Sequence, residues 1–389
     1  MRVGIDMSPL ITSLVLYIPT LTALFLLLLN KSWRGCRLLS VFFIVYISFF
    51  WYMVYFFDLK ASEIEMTQFD KNRPFYFLQG FILVSFLGVF MSTQFELFVK
   101  SFLPMLFFMS MSICILYLLT YDPRVEFIRL GDGTSLSKGI ALSYGCSSVL
   151  AIVFLRSVDK NIFSWGRPIF LMPALILMGL GIVLSGTRGA IVGFSISFIF
   201  FVFKQTKLAI NTVIIFVLLV VLLVFVFRID RLIPMETITR IGDFQHQGTE
   251  RRVELNTLAI DNLINNPMGM TIGYEKVLDG NQYCHNTILQ LVMESGILIV
   301  PVLFVVFITL LKSLIKQIWA NNYLFAYFII FSNVITQSYS SGSPYATFVW
   351  FSIFFLISIS STHGKSSSKI LSNTHRVECI PTSLRLNKS

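Results

Sequence analysis

The sequence predicts an all-α, polytopic integral membrane protein with about 11–12 transmembrane helices and one large outer loop. Three observations predict it. Of 389 residues, 56% are hydrophobic and only 13% charged, with mean hydropathy +0.78, far from a soluble composition. Apolar runs recur near the roughly 20 residues that cross a bilayer core of about 30 Å. Basic residues concentrate in alternate segments between those runs.

Eleven runs qualify: 9–29, 38–57, 74–92, 101–120, 139–155, 169–184, 190–203, 208–227, 287–311, 323–337 and 346–361. Residues 1–361 then make one transmembrane domain. The remainder, THGKSSSKILSNTHRVECIPTSLRLNKS (362–389), is polar and basic and reads as a loose tail. The first run is too long for a signal peptide, and LLLLNKSWRG offers no small-residue cleavage site, so it is expected to remain as a span.

Segments 30–37, 93–100, 156–168, 204–207, 312–322 and the tail carry 16 Lys+Arg against three acids. The opposite set, 1–8, 58–73, 121–138, 185–189, 228–287 and 338–345, carries 14 against 16 acids. The positive-inside rule puts the first set in the cytoplasm, and the odd span count puts the N-terminus outside. The net charge of +10 is therefore a topology signal, and no nucleic-acid partner is implied. The bilayer itself is the first partner the composition demands.

Of five cysteines, only Cys284 falls outside, so no intramolecular disulfide is expected there. There is no CxxC pair, HExxH, Walker-type loop or GxSxG. Four histidines, two of them in the tail, offer no ligand cluster. No metal and no cofactor is expected.

The outer hairpin VLSGTRGAIVGFS (183–195) holds the first chemical signal. Residues 169–203 span about 52 Å at 1.5 Å per residue, where two crossings need about 60 Å. The tip then lies at or below the outer headgroup level. Gly186 and Gly189 permit a tight turn and a close ligand approach. Arg188 is either a fixed cation suited to gripping a phosphate or an arginine snorkelling to lipid headgroups.

The 60-residue loop 228–287 is too long for a connector. Within it, GTERRVELNTLAIDNLINNPMGM (248–270) reads as an amphipathic helix with Leu255, Leu258, Ala259, Asn262 and Leu263 on one face. Thr249 is the candidate cap, and Pro267 and Gly269 end the helix. Arg251 and Arg252 stand at its first turn, either beside open amides that can hold an anion or simply solvated. The loop closes with YCHNTILQLVMESGILIV (283–300). His285 there can accept a proton near neutral pH or cap the following span. Asn286, Gln290 and Glu294 recur at i, i+4, i+8 along one side of that span. They line a site or form a buried structural ladder.

GTRG on an outer hairpin, then Arg251–Arg252 with NNPMG, then HNTILQLVMESG entering a span, resembles the bacterial O-antigen ligase/polymerase superfamily. The motif-level similarity covers about residues 169–311. The resemblance implies a metal-independent membrane glycosyltransferase on the periplasmic face of the inner membrane. It would take a glycan from an undecaprenyl-diphosphate carrier and join it to an acceptor hydroxyl, of a carrier-linked glycan or of lipid A core. Arg188 matches the family's hairpin arginine. Arg252, fifteen residues before Pro267, best matches its loop arginine, with Arg251 the alternative, and His285 matches its histidine. By analogy a chain-length regulator is a possible partner. Two departures stand out: eleven spans where twelve are usual, and a doubled loop arginine.

The chemistry fits. A departing diphosphate develops negative charge, and arginines aimed at that charge can replace a divalent metal. His285 can take the acceptor proton, with Glu294 as a candidate to orient it. LSGTRG and SYSSGSPYATFVW (338–350) resemble the O-antigen polymerase more than the O-antigen ligase. The rival class, a polysaccharide transporter or flippase, expects internal repeats, broken helices and more intramembrane charge, and the sequence has no repeat. A purely structural or sensory membrane protein would leave the outer arginines and His285 without a role.

Overall fold

A computed structural model describes residues 36–61, 68–121, 134–163, 165, 168–205, 248–273, 277–278, 284, 286–341 and 347–360, without some helical side chains. Spans 9–29 and 208–227, residues 228–247, His285 and the tail lie outside the described residues. The described residues are mostly helical and contain no strand. In chain order the helices are α1 Cys36–Ala61, α2 Gln68–Phe77, α3 Val84–Met91, α4 Phe95–Leu119, α5 Thr134–Val158, α6 Pro168–Leu184 and α7 Arg188–Lys204. They continue with α8 Gly248–Asn265, α9 Thr287–Ser295, α10 Ile299–Ala320, α11 Asn322–Ser341 and α12 Thr347–Ser360.

Two helical runs among the described residues are long and apolar enough to cross a membrane, Asp70–Leu119 and Lys138–Val158. Ile44–Leu59, Phe170–Leu184 and Phe348–Ile359 are shorter apolar helices. The first run is not one straight rod. A π-helical stretch, Leu78–Leu83, joins α2 to α3, beginning four residues after Pro74, which cannot supply an amide to the helical ladder. A 3₁₀ turn, Ser92–Gln94, joins α3 to α4. Phe81 meets Trp350 edge-on with centroids 4.8 Å apart, and a side chain on Gly88 would meet the backbone of Phe351 and Phe355. Returning along the same helix, Phe98 lies 5.0 Å from Phe355 and Phe102 5.6 Å from Phe348. Contacts that advance along α12 and then retreat mean that the chain reverses at 92–94. This agrees with separate spans at 74–92 and 101–120.

α5 is the central helix. Val149, Leu150, Ala151, Ile152 and Phe154 are all fully buried, the pattern of a helix surrounded on all sides. α4 packs antiparallel to it, with Ser110 Oγ donating to Ala141 O at 2.9 Å. α11 does likewise, with Phe154 against Phe325. Small residues let these helices approach closely. Asn333 Nδ2 donates to Ser147 Oγ at 2.8 Å, Ser147 Oγ donates to Ser197 Oγ at 3.2 Å, and Ser197 Oγ donates to Ile329 O at 2.7 Å. This ladder ties α5, α7 and α11 through the middle of the bundle.

Two further expectations are corrected. The single span 287–311 is two helices, broken at Gly296 with φ 82° and ψ 170°. That region of backbone space is essentially glycine-only. α10 alone, at 22 residues, is about 33 Å long. Glu294 therefore belongs to a separate short helix and not to a continuous span. Asp70 and Arg73, counted as outer-loop charges, are fully buried at the start of α2 and 3.7 Å apart.

Candidate functional site

The hairpin tip forms because Gly186, at φ 61°, ends α6 in the left-handed region. Ser185 N donates to Gly181 O and Gly186 N to Val183 O, while Ser185 Oγ donates to Thr187 Oγ1 at 3.0 Å. Thr187 caps α7 with extended backbone. Arg188, expected within the turn, is instead the first residue of α7. Half-buried, it shares that helix end with the positive end of the helix dipole. The tip is seated tightly: a side chain on Gly139 of α5 would collide with the hydroxyls of Ser185 and Thr187.

The second element begins at Asn286. Its side chain caps α9 by accepting from Leu289 N at 3.1 Å. Gln290 and Glu294 are fully buried. Gln290 Nε2 donates to Glu294 Oε1 at 2.8 Å, and Cys284 N donates to Gln290 Oε1 at 2.9 Å. The chain of contacts Glu294–Gln290–Cys284 thus pins the backbone one residue before His285. These bonds make the stripe a ladder that holds the loop, at the head of the helix that the sequence marked as a candidate site. Burial pushes the Cys284 thiol up to about 11, which removes it as a thiolate nucleophile at neutral pH. Iodoacetamide should modify Cys284 slowly at pH 8 and faster as pH rises towards 11. Peptide mass spectrometry of the folded protein measures this.

The third element is α8. Leu255, Ala259 and Asn262 are buried on the face the periodicity indicated, and Leu258 and Leu263 are half-buried. The helix begins at Gly248, one residue before the expected cap Thr249, and Arg251 and Arg252 lie near its N-terminus. Leu255 and Ala259 pack with Leu278, Cys284 and Met293, so α8 is seated on α9. Two backbone bonds secure the NNPMG end: Met270 N to Met293 O at 2.9 Å and Ile297 N to Pro267 O at 2.8 Å. Beyond it, Asp58 Oδ2 at the end of α1 accepts from Thr271 N, from Thr271 Oγ1 at 2.7 Å and from Ile272 N at 3.1 Å. Asp58→Ala should cost about 2 kcal/mol, because charged hydrogen bonds are lost and the amides are left unmet. Faster limited proteolysis near residue 271, with α5–α7 unaffected, checks this.

α11 brings the first two elements to one end of the bundle. Gln337 Nε2 donates to Gly189 O at 2.8 Å, and Thr287 Oγ1 donates to Ser338 O at 3.1 Å. Residues 173–304 match the model of a family described as O-antigen ligase. That match supports the O-antigen ligase/polymerase superfamily for this segment. No curated protein and no solved structure matches the chain.

The O-antigen ligase match holds all the residues singled out from the sequence: Gly186, Arg188, Gly189, Arg251, Arg252, His285, Asn286, Gln290 and Glu294. Within it the structure joins Asn286, Gln290 and Glu294 on α9, and places the Gly186–Gly189 turn at the same end of α11. The side chains of Arg251 and Arg252, like His285, lie outside the described residues. Four residues that the sequence did not point to also hold these elements. Gln337 and Ser338 lie past the end of the match and Asp58 before its start. Thr287 lies within it, and its position beside His285–Asn286 was the available signal.

Proposed function

We propose that the chain is an O-antigen polymerase. It joins undecaprenyl-diphosphate-linked oligosaccharide repeat units at the periplasmic face of the bacterial inner membrane, in lipopolysaccharide synthesis, without a metal. The observation that carries the proposal is the seating of the Arg188 turn and the head of α9 on consecutive residues of α11. In this reading Arg188, at the positive end of α7, grips the diphosphate as its charge grows. Arg252, or Arg251 in its place, closes on the same group. His285 takes the proton of the acceptor hydroxyl, held in place through Cys284, Gln290 and Glu294. Sugar–phosphate cleavage and formation of the new glycosidic bond then balance: the carrier diphosphate leaves and the acceptor proton passes to His285. A chain-length regulator is a proposed partner, by analogy with polymerases.

The family description favours a second reading, an O-antigen ligase that transfers the carrier-linked chain to lipid A core. Deleting the gene in its native host separates the two on a gel of lipopolysaccharide and carrier-linked glycan. Core bearing a single repeat unit is the polymerase result. Bare core, with long chains stranded on the carrier, is the ligase result. An unchanged ladder overturns both.

A further inference from the structure

Arg188 and the head of α9 are 99 residues apart in sequence, counting to Thr287, and the bonds that hold them both run to α11. Gln337, 3% exposed, reaches the carbonyl of Gly189, next to Arg188. The neighbouring carbonyl, of Ser338, receives the Thr287 hydroxyl, one residue past the Asn286 cap. Gln337 is itself well placed. Its amide lies 3.3 Å from Asn333 Oδ1 and 3.4 Å from Ser143 Oγ. It can approach α7 only because residue 193 is glycine: a Cβ there would stand 2.9 Å from Gln337 Nε2 and collide with Asn333 Oδ1. From the other side, Gly139 of α5 leaves room for Ser185 and Thr187. The Arg188 turn is thus gripped between α5 and α11, and the α11 grip also reaches α9.

We propose that Gln337 is a positioning residue: it fixes the Arg188 turn, and with it the donor-gripping cation, relative to the α9 head on the acceptor side. This rests on the transferase reading given above. Gln337 touches no substrate in this role. A displacement of the turn by about 1 Å is enough to cost on the order of 100-fold in rate. A side chain of similar size that cannot donate to Gly189 O should therefore lower kcat while leaving donor affinity nearly intact.

The test uses the purified full-length chain and carrier-linked repeat units extracted from the deletion strain. Gln337→Leu should lower kcat about 10-fold to 100-fold, with donor KM within about twofold and a cooperative unfolding transition kept at a modestly lower thermal midpoint. Gly193→Ala, which leaves Gln337 in the chain but displaces its amide, should give the same split. Gln337→Leu added to Arg188→Lys should cost less than about twofold more, because the two act through one group. Wild-type kinetics in folded Gln337→Leu would overturn the inference. So would full additivity with Arg188→Lys, or loss of folded protein in both the Gln337 and Gly193 variants, since Gln337 would then be a determinant of the fold alone. A wild-type chain with no transfer at all would instead count against the transferase reading, and so is distinguished from failure of the positioning role.

Discussion

Arg188→Ala is expected to abolish polymer formation while the protein still reaches the membrane. Removing one preorganised donor from a developing negative charge costs about 100-fold to 1,000-fold in rate. Arg188 heads α7, where the helix dipole already favours an anion, so the guanidinium acts with that background and not alone. Arg188→Lys keeps the charge but loses the planar fork, and should fall between the wild type and alanine. The helix itself should survive the change, because Thr187 caps it through backbone and the turn is held by Gly186, Gly139 and Gln337. Arg252→Ala and His285→Ala should give the same loss of ladder. Immunoblotting of membranes and a lipopolysaccharide gel measure both halves of the expectation. Normal ladders from all three variants would show that the reaction does not use this site.

The largest stability effect is expected at Gly296. Its φ of 82° and ψ of 170° are open essentially to glycine alone, at a cost of roughly 1–3 kcal/mol for another residue. A methyl group there would also run into the backbone of Met268, which cannot swing aside as a side chain can. Gly296→Ala should therefore destabilise by about 3 kcal/mol or more and free the 267–270 segment from α9. Gly179→Ala is the control. A Cβ at Gly179 meets nothing within 4 Å, and alanine within a helix is favoured over glycine by about 0.5–1 kcal/mol. Thermal midpoints in detergent should fall for Gly296→Ala and hold or rise for Gly179→Ala. Equal midpoints would remove the break at Gly296 as a determinant of the fold.

Much of the fold was legible because its signals are local. The runs 169–184 and 190–203 became α6 and α7 within two residues at each end, since apolar length and a glycine turn decide them. The buried face of α8 followed from 3.6-residue periodicity. What escaped depends on distant partners or on one backbone angle. ESGILIV sits inside one expected span, and the break that separates Glu294 from α10 lies in the backbone angles of Gly296. Asp70 and Arg73 look like loop charges until the helices around them are placed. Ser143, Ser147, Ser197 and Asn333 are unremarkable singly, and their ladder joins residues up to 190 apart. The candidate site divides the same way. Its motif residues could be read from order and spacing, whereas Gln337 bonds across 148 residues with no motif of its own.

The brace on α11 has a consequence for engineering. The segment that matches the family ends at residue 304, whereas the bonds that hold its two motifs together come from Gln337 and Ser338. A chimera that transplants only residues 173–304 into a related scaffold would carry the candidate groups but borrow their spacing from the host. Exchange of specificity between such proteins should succeed only when the swapped piece extends through Ser338, or when the host supplies an amide and a carbonyl at equivalent places.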